Sequence, residues 1–360
     1  MTTTAQEILV PPQADIMRIV FLYVAQGEST LVFIPWNGVH RTMLIDSNQG
    51  RKHGGINLVD LLCDLFEGQQ SGSLSYFVNT HPHGDHAGGL DEIEDSVEID
   101  NVWHSGHNPG RNHEEAYRAI ERLRQKVSKK GGEDRILTGS RSIEKLGDAV
   151  YNVLSPAQYV QDDIAGEECE VRYRRIHEHC AVLRIGYGSP TPTYVLITGD
   201  SDKCAWSEHI TEYHGAGDEN RIQAQILSAS HHGSRTFFKT CEEDPDPYTK
   251  HLELIAPAHL IISAPTQPES CHGHPHDDAL ELYKRYVAEE AILHTGDGRR
   301  SFICDIYPDG QYHINDDGGR LAEIYGFPPD DEGGGGAGPA KTRPVGGPYV
   351  ISQVDRKPMG

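Results

Sequence analysis

The segment from Thr80 to Gly89 carries the residue types in this chain that are most able to do chemistry. His81, His83, Asp85 and His86 fall within six residues, directly after an apolar run that predicts a strand. Imidazole nitrogens and a carboxylate oxygen at the end of a strand suit two adjacent divalent metal ions that keep open positions for water. A solvated histidine-rich loop is the alternative, and the His-x-His-x-Asp-His spacing between a strand and a helix disfavours it.

Two metal ions need more ligands than one loop can supply, so other strand ends should contribute them. The apolar run 195–197 leads into Thr198, Gly199 and Asp200. A carboxylate at that position can bridge two metals through its two oxygens. A glycine and an aspartate after a strand are otherwise only a turn signal, so the interpretation depends on the first motif.

Two further histidine clusters follow strand-like segments. His231 and His232 come after the run 226–230, and either can complete the ligands of a second metal, with His231 slightly favoured. His274 lies in a later cluster, just before a predicted helix, and is a candidate catalytic residue. It could contact the scissile group or act as a general acid.

His177 and His179 precede the predicted strand 180–187. If that strand begins early enough to include them, their side chains share one face, since side chains alternate along a strand. Either is then a possible third histidine for the first metal. Two surface histidines at a sheet edge are an equally good interpretation.

The elements that must position these residues alternate between strands and amphipathic helices. This alternation predicts one α/β domain over residues 1–326. From residue 327 the sequence becomes rich in glycine and proline, which predicts a flexible C-terminal tail over residues 327–360. Docking of its apolar patch, residues 349–351, on a protein partner is an alternative. The predicted strands are 17–24, 29–35, 42–45, 74–78, 99–103, 149–154, 180–187, 193–198, 223–230, 259–263, 291–295 and 301–307; the predicted helices are 56–66, 90–93, 113–130, 202–213 and 277–287.

Composition restricts the partners. The net charge is -22 over 360 residues, which disfavours long-range attraction of nucleic acid. Seven widely spaced cysteines without a C-x-x-C pair predict reduced thiols. No apolar run is long enough to span a membrane and no signal peptide is evident, so we expect a soluble cytoplasmic protein without membrane contact.

Together these motifs, in this order, resemble the metallo-β-lactamase superfamily. They are most similar to its competence-protein branch, the hydrolase domain of ComEC-type DNA-uptake channels and its free-standing relatives. The resemblance spans about residues 17–308 and rests on Ala25 to Ser29, His81 to His86, Ile197 to Asp200, His231 to Ser234 and Gly273 to His276. It implies a four-layer αββα sandwich with a binuclear metal site along one edge.

The chain departs from the branch's pattern at two places. Glu28 stands where the branch usually has aspartate, which puts that residue's polar contacts in doubt. Where the branch typically has Asn-Asn-x-Ser before its central strand, this chain has His177, Glu178, His179 and Cys180. A histidine there would restore a ligand that the branch lacks, and it weakens the transfer of the branch's substrate.

The resemblance also implies roles for the site residues. His81 and His83 would bind the first metal, with His177 or His179 as a further ligand. Asp85 and His86 would bind the second metal.

The second metal would also take His231 or His232, and Asp200 would bridge both ions. Asp85 would also act as a catalytic proton acceptor, and Asp46 would orient a ligand. The implied cofactors are two divalent ions, zinc first, with manganese or iron as alternatives.

The implied activity is hydrolysis of a phosphodiester, as in a nuclease or phosphodiesterase, by a metal-bridging hydroxide. Hydrolysis of a small ester, thioester or lactam is the alternative. A non-catalytic binding module on the same fold is a third possibility, which the full set of ligands disfavours. Six basic residues on and after the predicted helix 113–130 leave nucleic acid open as a substrate, although glutamates on that helix favour a solvated face.

Overall fold

A computed structural model describes residues 4–68, 72–110, 115–215 and 219–328. The strands, in chain order, are Met17–Phe21 (β1), Thr30–Trp36 (β2), Val39–Ile45 (β3), Ser73–Asn79 (β4), Glu98–His104 (β5), Asp134–Ile136 (β6), Glu144–Leu146 (β7), Ala149–Ser155 (β8), Val182–Tyr187 (β9), Thr193–Ile197 (β10), Ile226–Ser228 (β11), His259–Ile262 (β12), Ile292–His294 (β13), Phe302–Ile306 (β14) and Tyr312–Asp316 (β15).

The α-helices lie between these strands and at the two ends of the domain. They are Ala5–Leu9 (α1), Leu58–Phe66 (α2), Gly84–Ala87 (α3), Leu90–Ser96 (α4), Glu115–Lys130 (α5), Gln158–Ala165 (α6), Cys169–Arg174 (α7), Thr211–Gly215 (α8), Lys250–Ile255 (α9), Asp277–Tyr283 (α10) and Arg320–Tyr325 (α11). A π-helical segment, Ala205–Ile210, leads directly into α8.

The strands form two sheets. One has eight strands in the order β15-β14-β1-β2-β3-β4-β5-β6, and the other has seven in the order β13-β12-β11-β10-β9-β8-β7. Strands β3, β4 and β5 run parallel, as do β10, β11 and β12. The carboxyl ends of parallel strands lie at one edge of a sheet, which is where ligands bind in such folds.

Alternation along the strands separates an inner core from two outer cores. In β1, Met17, Ile19 and Phe21 are buried between the sheets, whereas Val20 packs on the other side with helix residues such as Leu61. Because successive side chains of a strand point to opposite faces, each sheet packs on its neighbour sheet with one face and on helices with the other.

The helices that cover the two outer faces complete the layers. Helices α1, α2, α4, α5 and α11 cover the eight-stranded sheet, and residues 205–210, α9 and α10 cover the seven-stranded sheet. The predicted αββα sandwich is therefore confirmed.

Most predicted elements are present with small changes at their ends. The predicted hairpin of β1 and β2 is confirmed as an antiparallel pair. The long predicted strand 223–230 is reduced to β11, and the helix expected over 277–287 ends at Tyr283. Short elements with weak periodicity, such as α6 and α7, were not predicted.

Most of the predicted tail over residues 327–360 lies outside the described residues, so it stays a prediction. Within the described ranges, no helix is long and apolar enough to cross a membrane.

A buried guanidinium ties the N-terminal helix to the eight-stranded sheet. The Arg18 Nε and Nη2 atoms donate to the two Asp305 oxygens at 2.6 and 2.7 Å. Arg18 Nη1 donates to the backbone carbonyls of Ile8, Leu9 and Val10 at the end of α1. One side chain thus satisfies five acceptors that have little access to water.

We expect Arg18→Ala to lower the free energy of unfolding by about 3–5 kcal/mol, because it leaves the Asp305 carboxylate buried without its partner. Arg51→Ala removes an exposed ion pair with Glu92 and should cost no more than about 1 kcal/mol. Urea unfolding of both variants measures the difference. Equal losses would show that burial of the Arg18 pair adds nothing to stability.

Candidate metal centre

The candidate ligands lie together at the edge where the parallel strands end. Asp46 follows β3, Asp200 follows β10 and His231 and His232 follow β11. The histidine motif follows β4 and includes the short helix α3. The backbone N–H of Ala181 donates to the carbonyl of Thr80 at 2.9 Å, which joins the two sheets beside the site.

The first ligand group consists of His81, His83, His177 and Asp200. One ligand atom from each lies within 4.8 Å of the others. His83 Nδ1 lies 3.1 Å from His81 Nε2 and 3.3 Å from His177 Nε2. Three imidazole nitrogens that face one another this closely form a natural position for a cation, since it satisfies all three lone pairs at once.

The second ligand group consists of Asp85, His86, Asp200 and His232, with the same 4.8 Å limit. His86 Nε2 lies 3.3 Å from His232 Nε2 and 3.0 Å from Asp200 Oδ1. Asp85 Oδ2 lies 3.4 Å from His232 Nε2. The two groups share one residue, Asp200.

Asp200 divides its oxygens between the groups. Its Oδ2 lies 3.5 Å from His81 Nε2 and 3.7 Å from His177 Nε2, whereas its Oδ1 faces His86 and His232. Gly199 has φ +48, and a Cβ there would come within 2.7 Å of the Thr80 and Cys180 side chains. The glycine before Asp200 is therefore required by the close approach of the histidine loop.

A buried carboxylate orients the histidine motif. Asp46 Oδ1 accepts from the Thr80 backbone N–H at 2.8 Å and from Asn79 Nδ2 at 3.2 Å. Asp46 Oδ2 accepts from Thr80 Oγ1 at 2.6 Å and from His86 Nδ1 at 2.8 Å. Because His86 Nδ1 donates to Asp46, its Nε2 presents a lone pair to the second group.

Thr80 links Asp46 to His81 and thereby orients the His81 ring as well. The Thr80 hydroxyl donates to Asp46, so its oxygen accepts from His81 Nδ1, 3.1 Å away. The His81 Nε2 lone pair then points into the first group. On the opposite side, His232 Nδ1 donates to the Ser263 carbonyl at 2.8 Å, which leaves His232 Nε2 free as a ligand.

Left-handed backbone marks two of the turns that hold these ligands. Asp46 has φ 56, and the consecutive residues His231 and His232 have φ 51 and 58. Non-glycine residues rarely adopt this conformation, and where they do it commonly reflects a functional constraint. Gly233 continues the turn with φ +81, and a Cβ there would come within 2.7 Å of Pro275.

The pKa values of the histidines separate the two groups. Burial lowers the pKa of His81 well below its usual value and that of His177 to about 4, so both rings are neutral at pH 7. Burial also opposes charge on His86 and His232, but Asp200 with Asp46 or Asp85 raises the pKa of both rings. The second group therefore holds protons that a metal ion would displace.

These donors fit two divalent cations. Five imidazoles and two carboxylates converge at the site. Hydrogen bonds to the second ring nitrogen orient His81, His86 and His232. The Asp200 carboxylate joins the two groups, with one oxygen facing each. The donor set is nitrogen-rich and borderline-soft, as is typical of zinc sites. A third set, Glu28, Asp46 and His86, also lies within 4.8 Å, but Asp46 already accepts four hydrogen bonds.

The structure separates His177 from His179. The expectation that they share a strand face is wrong, because residues 175–179 form a turn that continues α7 and β9 begins only at Val182. The backbone N–H of His179 donates to the Arg175 carbonyl, as in a helical turn. Residues two apart on such a turn point in different directions. His179 Nδ1 accordingly lies 3.0 Å from His107 Nδ1, outside both ligand groups.

The structure also distinguishes His231 from His232. His232 belongs to the second group, whereas His231, the slightly favoured candidate, does not. Instead, His231 Nδ1 lies 2.9 Å from Thr236 Oγ1, and its Nε2 lies 3.5 Å from Asp200 Oδ2. It therefore borders both ligand groups as a neighbour of their shared carboxylate.

His274 lies beside these two histidines. Its ring centroid is 5.3 Å from that of His231 and 6.0 Å from that of His232. Burial lowers the pKa of His274 to about 3, so its ring is neutral at pH 7. Its buried Nδ1 has no hydrogen-bond partner among the described residues. A neutral ring at this position is better suited to contact a substrate atom than to transfer a proton to it.

Glu28 makes hydrogen bonds next to the second ligand group, and the sequence alone did not determine these contacts. Its Oε1 accepts from Ser228 Oγ at 2.7 Å, and its backbone N–H donates to the Asp85 carbonyl at 3.1 Å. The longer side chain thus bridges the first hairpin and β11 beneath the second ligand group. Asn79, Ser263 and His107 were not identified from the sequence, because nothing in their spacing distinguishes them from ordinary polar residues.

Most basic residues of α5 pair with nearby acids. Lys126 pairs with Glu94, Lys130 with Glu98 and Arg122 with Asp91. The interpretation of this helix as a solvated, charge-balanced face therefore fits the structure better than a nucleic-acid surface.

We expect His177→Ala to lower the metal content of the purified protein by about one ion per chain, because it removes one of three imidazoles from the first group. His179→Asn should leave the content unchanged, since this residue lies outside both groups. Metal analysis of the two variants, with circular dichroism as the folding control, tests the assignment. Metal loss in His179→Asn, with full occupancy in His177→Ala, would reverse it.

We expect metal binding to become weaker as the pH falls, mainly at the second group. The raised pKa values of His86 and His232 mean that protons compete with the metal there at neutral pH, whereas His81 and His177 are already neutral. Calorimetric zinc titrations of the metal-free protein, in buffers of different protonation enthalpy, count the protons released. Binding of both ions without proton release near pH 7 would contradict this prediction.

Comparison with known proteins agrees with the site. Residues 64–200 match the family model of the metallo-beta-lactamase superfamily. That segment contains the histidine motif, His177 and Asp200. No protein of curated function matches the chain.

Several solved structures are similar to this chain at low identity. The metallo-beta-lactamase fold protein YhfI from Bacillus subtilis is 13% identical, with a TM-score of 0.41, and the match covers 84% of this chain and 100% of that one. The metallo hydrolase Igni18 from Ignicoccus hospitalis is also 13% identical, with a TM-score of 0.43, and covers 83% and 98% of the two chains. Neither likeness bears on the substrate. The family-model match over residues 64–200, the two-sheet fold and the clustered ligands are features that this chain shares with the metallo-beta-lactamase superfamily.

Proposed function

We propose that this chain is a binuclear metal-dependent hydrolase that cleaves phosphodiesters. The observation that carries the proposal is the position of Asp200, whose two oxygens face two separate ligand groups. A shared carboxylate of this kind is suited to hold two cations at the roughly 3.5–4 Å spacing used in two-metal hydrolysis. Zinc fits the donors first, with manganese or iron as alternatives.

Two divalent ions, when bound, lower the pKa of a water molecule and offset the charge that develops on phosphoryl oxygens. The chain's own residues orient the reactants. Asp85 is the more exposed carboxylate of the two groups, with 29% of its side chain accessible against 2% for Asp200. Asp85 can therefore contact both the second group and solvent, and we assign it the role of proton acceptor.

His231 and His274 support the substrate side of the proposal. The His274 ring is buried and the His231 ring is half-buried, both are neutral, and they lie next to each other beside the shared carboxylate. A neutral imidazole offers one N–H that can donate to a phosphoryl or leaving-group oxygen. We assign His274 to this contact and His231 to the same surface.

The substrate we propose is a small phosphodiester, not a nucleic-acid polymer. The net charge of -22 repels a polyanion, and the ion pairs of α5 neutralise the basic residues that could have offset it. The relation to the ComEC-type branch remains part of this proposal, resting on the shared motifs.

Hydrolysis of a small ester, thioester or lactam is the second candidate. The observation that favours it is His177, which gives the first group three histidines and so departs from the branch with the phosphodiester activity. A non-catalytic binding module has less support, because both ligand groups are intact.

We expect the zinc- or manganese-loaded protein to hydrolyse bis-p-nitrophenyl phosphate, and Asp85→Ala to lower kcat by about 100-fold or more, since it removes both a ligand and a proton acceptor. Asp95→Ala is the matched control, because Asp95 is exposed on α4 and belongs to neither ligand group. Release of p-nitrophenolate measures the rate.

Two outcomes would change the proposal. A metal-loaded protein that cleaves p-nitrophenyl acetate or a thioester but no phosphodiester would replace it with the second candidate. A protein that binds no metal after reconstitution would contradict hydrolysis altogether and support the binding module.

A further inference from the structure

A cavity of about 300 Å³ lies next to the turn that carries His177. It is lined by Asn108 after β5, by Ile136 and Ile164, and by Arg172 and His179 on either side of the turn that carries His177. The ring of Tyr173, next to Arg172, lies 6.1 Å from that of His83. The elements that shape the cavity therefore also carry the ligands of the first group.

Arg172 provides this cavity with a positive charge that no described acid pairs with. Within the described part of the chain, its half-buried side chain makes no ion pair with a carboxylate, and its buried Nε has no hydrogen-bond partner. Its Nη2 donates only to Cys169 Sγ, at 3.3 Å. The exposed Asp162 at the rim accepts instead from Gln158 Nε2.

The neighbouring Arg175 has a different environment. Arg175 pairs with Asp163, Glu167 and Glu178, all at 2.7 Å. In a chain with 54 acidic and 32 basic residues, an arginine left without an acid is available to a ligand. A guanidinium binds phosphate and carboxylate groups through paired N–H donors.

The guanidinium is also held in place. Gly110 has φ +74, and a Cβ there would come within 2.6 Å of Arg172 Nη2 and of Cys169 Sγ. The glycine backbone thus lies against the charged group and restricts its movement. A preorganised donor loses less entropy when a ligand binds.

We propose that this cavity binds the non-reacting part of a small phosphodiester substrate, and that Arg172 recognises a second anionic group on it, a phosphate or a carboxylate. The apolar side chains of Ile136 and Ile164 suit a compact organic group between the two anions. The volume is at the lower end of the range for small-molecule sites, as expected for a small ligand and not for a polymer. This inference rests on the proposed function, because the reacting phosphate is assigned to the metal groups.

A binding experiment tests Arg172 without depending on turnover. The probes are phenylphosphonate and 4-phosphonobenzoate, which differ by one carboxylate and cannot be hydrolysed, titrated calorimetrically into the full-length zinc-loaded protein. We expect 4-phosphonobenzoate to bind about tenfold tighter, the effect of one added charge-assisted hydrogen bond. Arg172→Gln should abolish the preference and leave phenylphosphonate binding nearly unchanged.

Two variants serve as controls. Arg174→Gln removes an exposed arginine of the same helix and should keep the preference. Arg172→Lys retains a positive charge and should keep part of the preference for 4-phosphonobenzoate. This variant separates loss of recognition from misfolding. Equal affinity of the two probes in the wild type, or an unchanged preference in Arg172→Gln, would overturn the inference. Failure to cleave bis-p-nitrophenyl phosphate, with the preference intact, would contradict only the proposed reaction.

Discussion

The hydrogen bonds to the buried Asp46 carboxylate hold the metal centre together. Four donors from Asn79, Thr80 and His86 meet its two oxygens, and none of these groups has access to water that could replace the bonds. Desolvation strongly disfavours a buried carboxylate, so it persists only where such donors surround it. Through His86 directly, and through Thr80 to His81, Asp46 determines which nitrogen of each ring would face a metal.

The seven-stranded sheet supplies the remaining ligands under a similar constraint. Asp200, His232 and the turn with His177 are brought to the histidine motif by the Ala181–Thr80 backbone hydrogen bond and by the close approach that Gly199 permits. Both sheets must therefore pack correctly before either ligand group exists. The metal centre thus depends on the inner core between the sheets as much as on its own residues.

Charge is distributed unevenly around this centre. Acids pair with several basic residues of α5 and with the guanidinium of Arg175, while Arg172 at the cavity has no ion pair with an acid in the described ranges. In a strongly acidic protein, bound metal ions and Arg172 would together supply positive potential near the site. Such a pattern favours small anions that enter the site over long polyanions that approach the surface.

The sequence by itself determined the fold class, the histidine motif, the bridging role expected of Asp200 and most strands, because these depend on local periodicity and on residue types at strand ends. Only the tertiary structure separated His177 from His179 and His232 from His231. The first choice depended on a helical turn in place of a strand start, and the second on a left-handed turn whose direction the sequence does not encode. The cavity and the unpaired Arg172 were also decided by tertiary structure, since pairing among distant charges follows from packing and not from spacing along the chain.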